Sequence, residues 1–335
     1  MRRILIDEKT ANRANEFAGV MVSNTPQKVG WHKQQMPLER LKRFWVFLRG
    51  HHFVSEAQYV YTIIFYYDTL LKLRPSWFEK VYKIWFKRWD DILKTPIEYN
   101  NEKKDFYKHV IDCMRYKDIR SNLMRAYMKE QKIKACVYCN AQYAITTDEF
   151  VEDGERKRIG TYQFDHFMPE SKYPFLCTSY YNLQPSCSTC NGSKLQKEAK
   201  FNLYTEKTDE VEPFWFELTP DKAVMAYVNQ DMDKLEVKLT ITNTDYTDLL
   251  NNHQDLFHID QIYTQHIETV QRIIVMLRAN SDYYMISLQE SLDTLFPMGV
   301  EDPESFFFGF HMKREHVHLQ PLNMLVQDVV KSLRS

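Results

Sequence analysis

Two matched cysteine knuckles constrain this chain more than any other feature. "CVYC" supplies Cys136 and Cys139, and "CSTC" supplies Cys187 and Cys190, with residues 140–186 between them. Each CxxC offers two sulfurs from one tight turn, and four thiolates in a tetrahedron are a preferred set for structural zinc (Zn2+). Two such pairs in one chain argue against a redox dithiol or four unrelated thiols. A zinc held by four cysteines has no open position, so its expected task is structural. It would close residues 140–186 into a stapled unit that needs little core of its own. The remaining cysteines, Cys113 and Cys177, are isolated and read as ordinary buried thiols. This distribution suits metal binding better than a secretory disulfide framework.

The texture inside the bracket is distinct. "YAITTDEF" and "GTYQFDH" read as two strands, joined around "EDGE" (Glu152 to Glu155), where Asp153-Gly154 is a hairpin-turn signal. An irregular stretch from Phe167 to Ser186 follows, broken by Pro169, Pro174 and Pro185. A helix is expected from Cys190 or Asn191 through Lys200. The order is β-β-α.

Outside the bracket the chain reads as mostly helical, and only 8 glycines among 335 residues suit that reading. Residues 1–35 have mixed polar and Gly/Pro signals and read as a loosely structured lead-in. Residues 36–131 read as a helical region. There "SWFE" (Ser76 to Glu79) looks like a capping box, and Phe78, Val81, Tyr82, Trp85, Trp89 and Ile92 recur at helical spacing. Lys80, Lys83, Lys87 and Lys94 would form its solvated face, with a nucleic-acid track as the minor option. Residues 132–204 hold the cysteine-bracketed core. Residues 205–335 begin with three strand candidates, "PFWFEL", "AVMAYV" and "LEVKLTIT". Helix then returns near Ile259, with Ile262, His266, Val270, Ile273 and Leu277 on one face, and a last helix spans Leu322 to Leu333. The expected class is α+β, mainly α-helical, with a small ββα core inserted between helical flanks.

Between the knuckles lies a second signal, "FDHFMPESKYP" and then "YNLQPSCSTCN". Asp165-His166 closes the second strand, Asn182 sits in the irregular segment, and Asn191 follows the last cysteine directly. In order, spacing and flanking residues this resembles the HNH endonucleases, the ββα-metal nucleases, in a zinc-bracketed form with Asn at the last position. The resemblance covers about Cys136 to Lys194. It implies that His166 is the general base that activates water for attack on a phosphodiester. Asp165 and Asn191 would hold one divalent cation, magnesium (Mg2+) or manganese (Mn2+), and Asn182 would fix the loop that orients His166. Lys194, one helical turn past Asn191, could neutralise a phosphate. Two departures stand out: Asn191 replaces the His of many members, and Glu170 lies where relatives often carry a basic residue. Arg156, Lys157 and Arg158, with Lys194, Lys197 and Lys200, could form a backbone-binding rim.

The chemistry suits those residue types. A neutral His can take a proton near pH 7, and a hard cation with oxygen ligands stabilises charge developing on a phosphate. The resemblance thus implies a metal-dependent endonuclease acting on DNA. The long helical arms look like those of bacterial anti-phage defence nucleases, including Septu- and retron-associated types, which act beside an ATPase partner. Two alternatives remain: a catalytically inactive zinc module that scaffolds or binds nucleic acid, and a nuclease acting on RNA. The net charge of −1 gives no global attraction to nucleic acid, so contact would be local. No apolar run follows the basic "MRRILIDEKT", and "YVYTIIFYY" is too short to span a bilayer, so a cytoplasmic protein without a membrane partner is expected. His51-His52 and His316/His318 lack companions at ligand spacing and read as surface or core residues.

Overall fold

A computed structural model of the 335-residue chain describes residues 1–22, 32–150, 156–229, 231–279, 282–295 and 302–334. The expected loose lead-in is ordered over its first two-thirds. Strand β1 (Ile4–Leu5) is followed by helix α1 (Glu8–Val22). Ala14, Phe17, Ala18 and Met21 recur at helical spacing and are buried. That stripe is short and set among polar residues, which hides it in the sequence.

Helices α2 (Pro37–Gly50) and α3 (Val54–Leu71) build the N-terminal core around Phe44, Tyr59, Val60 and Ile63. The capping box expected at Ser76 does not form. Pro75 starts a 3-10 turn, the Ser76 hydroxyl donates to Glu206, and Glu79 pairs with Lys83 at 2.8 Å. The helix beyond is a short α4 (Phe78–Val81) that passes into π and 3-10 turns through Ile92. Its expected apolar face still buries Phe78, Val81, Tyr82 and Trp89. The region is also not helical throughout. Strands β2 (Pro96–Tyr99) and β3 (Glu102–Asp105) form a hairpin turned by Asn100 and Asn101, both at positive φ, which Asn tolerates better than most residues. Helices α5 (Phe106–Cys113), α6 (Tyr116–Asp118) and α7 (Met124–Glu130) follow, with a π-helical turn over Ile119–Leu123.

The bracketed core differs from expectation in pairing. Strand β4 (Thr146–Phe150) pairs antiparallel with β5 (Arg156–Gly160), and the Asp153-Gly154 turn lies outside the described residues. "GTYQFDH" is divided at Thr161-Tyr162. Its second half, β6 (Gln163–His166), pairs instead with β7 (Leu183–Ser186), inside the stretch expected to be irregular. Pro185 is tolerated because this ribbon has only two strands, and its carbonyl accepts from Val137 N at 3.2 Å. Helix α8 (Ser188–Lys194) starts earlier and stops sooner than expected. Cys187 caps it by accepting from Cys190 N, and Leu195 at φ +48° ends it.

After β8 (Tyr204–Thr205), which pairs in parallel with β1, strand β9 (Phe214–Leu218) pairs antiparallel with β10 (Val237–Ile241), as their alternation suggests. "AVMAYV" is not a strand. It lies in α9 (Pro220–Val228), where Pro220 takes the first helical position and Ala and Met favour helix. Helices α10 (Thr247–Phe257), α11 (Ile259–Thr264) and α12 (Ile267–Ala279) come next. His266 falls between α11 and α12, so the face drawn through it is interrupted, although Val270 and Ile273 are buried. Helices α13 (Asp282–Leu295), α14 (Pro303–Phe308) and α15 (Asn323–Arg334) complete the chain. Among the described residues no helix is long and apolar enough to cross a membrane.

This C-terminal region grips the first knuckle. His253 Nε2 donates to Tyr138 O at 2.8 Å and the Tyr263 hydroxyl to Cys139 O at 2.8 Å. Asn140, at φ +50°, donates to Val317 O at 3.0 Å and accepts from Met324 N at 3.1 Å. One buried apolar cluster runs from Met1 to Val330, so packing is continuous across the sequence boundaries near 35, 131 and 204.

Candidate active site and metal centre

The four knuckle cysteines converge. Their sulfurs all lie within 4.8 Å of one another, and all four residues are buried. A zinc–thiolate tetrahedron has an edge of roughly 3.8 Å, so the cluster fits that ion. Backbone amides already point at sulfur, as thiolates require: Cys187 N to Cys136 Sγ at 3.2 Å and Cys190 N to Cys187 Sγ at 3.4 Å. Among the described residues this is the one cluster of Cys, His or carboxylate groups able to hold a metal through three or more such ligands.

Strand β6 delivers Asp165 and His166 to a cleft beside α8. The cross-strand partner of Asp165 is Gln184, and that of His166 is Leu183. His166 Nε2 lies 2.9 Å from the Cys177 carbonyl, which can only accept, so that nitrogen carries the proton. Nδ1 then holds the lone pair, and it lies 3.6 Å from Glu170 Oε2. Burial lowers the His166 pKa to about 4, against the favourable Cys177 hydrogen bond. The imidazole is therefore neutral at physiological pH. The loop carrying Cys177 is laced by the fully buried Asn182, whose Oδ1 accepts from Met168 N at 2.7 Å. Its Nδ2 donates to Leu176 O at 3.0 Å and Met168 O at 3.3 Å.

Lys194 is not where the phosphate contact was expected. It is fully buried, and its Nζ lies 3.1 Å from Asp165 Oδ1 and 2.7 Å from His166 O. The reason is charge balance. Burial raises the Asp165 pKa, and Lys194, together with a hydrogen bond from the Tyr138 hydroxyl, opposes that rise. In the expected basic rim, Lys197 is exposed, Lys200 pairs with Asp248 at 3.2 Å, and the side chains of Arg156, Lys157 and Arg158 lie outside the described residues.

The cleft, about 200 Å³, is lined by Asp165, His166, Glu170 and Asn191 and by two residues from the N-terminal region, Tyr116 and Arg120. Asn191 donates Nδ2 to Gln163, and among the described residues its Oδ1 has no hydrogen-bond donor. Asp165 keeps unused lone pairs on both oxygens. Glu170 Oε2 is buried with no hydrogen-bond partner, and burial raises the Glu170 pKa. These oxygen donors fit a hard divalent cation. Sequence reading missed Tyr116, Tyr138 and Arg120 as site residues. It registered Glu170 only as a departure from the family pattern. Tyr138 alone left a signal, as the aromatic inside the first knuckle.

No family model matches the chain, and no solved structure matches it. A segment of 71 residues is 34% identical to the Septu protein PtuB of Bacillus thuringiensis. That segment is 21% of this chain and 23% of PtuB, so the likeness spans less than a quarter of either protein.

Proposed function

We propose that the protein is a metal-dependent endonuclease of the HNH kind that hydrolyses phosphodiester bonds in DNA. The observation that carries this reading is a neutral His166 whose unprotonated Nδ1 faces a cleft also lined by Asp165 and Asn191. Nδ1 takes a proton from a water positioned against phosphorus, while Cys177 O keeps the ring in its productive tautomer. Asn182 holds the loop that presents that carbonyl. Asp165 and Asn191 would hold a magnesium or manganese ion, which supplies positive charge at the scissile phosphate. The four cysteines, with zinc, would pin the first knuckle to the junction of β7 and α8, and the β6–β7 ladder carries Asp165 and His166 with it, so the groups keep their spacing.

Similarity to a Septu protein supports a role in bacterial anti-phage defence, and with it action beside a partner such as an ATPase. The test is a plasmid-relaxation assay with magnesium or manganese, run beside a labelled RNA of matching sequence. DNA should be nicked or linearised by wild type and not by His166→Ala. RNA cleavage without DNA cleavage would move the substrate to RNA, and cleavage that survives His166→Ala would remove the assigned base.

A further inference from the structure

We propose that Arg120 is the phosphate clamp of this cleft, gripping non-bridging oxygens of the scissile phosphodiester in place of Lys194. The inference rests on the nuclease reading for its substrate, but it arises from a separate set of contacts. Among the described residues, Arg120 is the one Lys or Arg that lines the cleft. Lys194 cannot reach a ligand there, since it is fully buried and committed to Asp165 and His166 O. Arg120 is exposed and has no carboxylate within ion-pairing distance among the described residues. It acts on the cleft nonetheless, opposing the burial-driven rise of the Glu170 pKa.

The arrangement is built rather than incidental. Arg120 sits in the π-helical turn Ile119–Leu123, and single π turns of this kind are frequent at functional sites. Its guanidinium carbon lies 5.4 Å from the Tyr116 ring centroid. The Tyr116 hydroxyl donates to Phe164 O at 3.0 Å, which ties the ring to β6 one residue before Asp165. The same ring lies 4.5 Å from the His166 imidazole. Tyr116 is thus a shared platform carrying the base and the guanidinium. A phosphodiester has one negative charge shared by two non-bridging oxygens, and a planar guanidinium matches that pair where an ammonium cannot. A cation supplied by the N-terminal helical region also makes the cleft incomplete in the zinc-stapled unit alone.

The experiment uses the full chain, a fluorescent 20-mer DNA duplex, and Arg120→Ala and Arg120→Lys. Binding is measured in the His166→Ala background across a salt series, and single-turnover cleavage in the otherwise wild-type chain. A lost phosphate contact should reduce the slope of log affinity against log salt by about 1. Cleavage should fall about 10²–10³-fold in Arg120→Ala, and Arg120→Lys should recover only a small part. An unchanged slope, or cleavage within threefold of wild type in either variant, would overturn the clamp. If wild type cuts nothing yet the slope falls by about 1, Arg120 is a phosphate contact of this cleft and the nuclease reading alone fails. Arg120→Ala should lower the thermal midpoint by at most a few degrees, because the side chain is exposed and, among the described residues, carries no ion pair beside its Tyr116 contact.

Discussion

Replacing Lys194 by Met separates a buried counter-charge from a substrate contact. The Lys194 and Asp165 side chains are 1% and 5% exposed, with Nζ 3.1 Å from Oδ1. Methionine keeps much of the stem volume but removes the ammonium. Asp165 would keep the Tyr138 hydroxyl and the His166 amide as donors, and the His166 carbonyl would lose its 2.7 Å partner. Removing one partner of a buried ion pair costs about 3–5 kcal/mol, because an uncompensated charge remains. Urea unfolding of zinc-saturated protein should show that loss. The double variant Asp165→Asn/Lys194→Met should recover part of it, since a neutral amide needs no counter-charge. If Lys194→Met unfolds within about 1 kcal/mol of wild type while binding DNA more weakly, the buried-pair reasoning is wrong and Lys194 is a phosphate contact after all.

Other substitutions should fail in different ways. Cys187→Ser should lose near-stoichiometric zinc by elemental analysis, whereas Asn191→Ala should keep zinc and lose cleavage. Asn182→Ala removes three buried hydrogen bonds and should lower stability by about 1–3 kcal/mol in urea titration, with cleavage lost as the loop holding Cys177 slackens. Acid should weaken the fold through His253 and His318, whose pKa values burial lowers to about 3 and about 4. Below pH 6.5 the unfolded chain protonates these rings and the folded chain does not. Their contribution is therefore complete above about pH 6.5 and falls as pH drops, by roughly 2 kcal/mol each at pH 5. His253→Gln should flatten that slope in unfolding measured at pH 7 and pH 5.

What the sequence revealed was local. The cysteine spacing announces a four-sulfur cluster, and Asp165-His166 ends β6 as the strand pattern suggests, whereas Asn191 lies inside α8, which starts earlier, at Ser188. Lys194 was misjudged because spacing gives the helical face but not what lies across from it. Only the fold reveals that Asp165 lies opposite, 29 residues earlier in the chain. Tyr116 and Arg120 enter from 49 and 45 residues before Asp165, through contacts no local pattern encodes. Strands β6 and β7 were missed as partners because sixteen residues with two prolines separate them, whereas "EDGE" offered a nearer hairpin. The "AVMAYV" error was one of period: a short apolar run does not distinguish strand from helix until Pro220 is weighed as a helix start.

The central claim is that His166 Nδ1 takes the proton of the attacking water. The most direct measurement is the single-turnover rate of cleavage of an end-labelled DNA duplex by wild type and His166→Ala, in magnesium and in manganese. The account predicts metal-dependent cleavage that falls about 10²–10⁴-fold on substitution, with zinc content unchanged. A His166→Ala rate within threefold of wild type would contradict it.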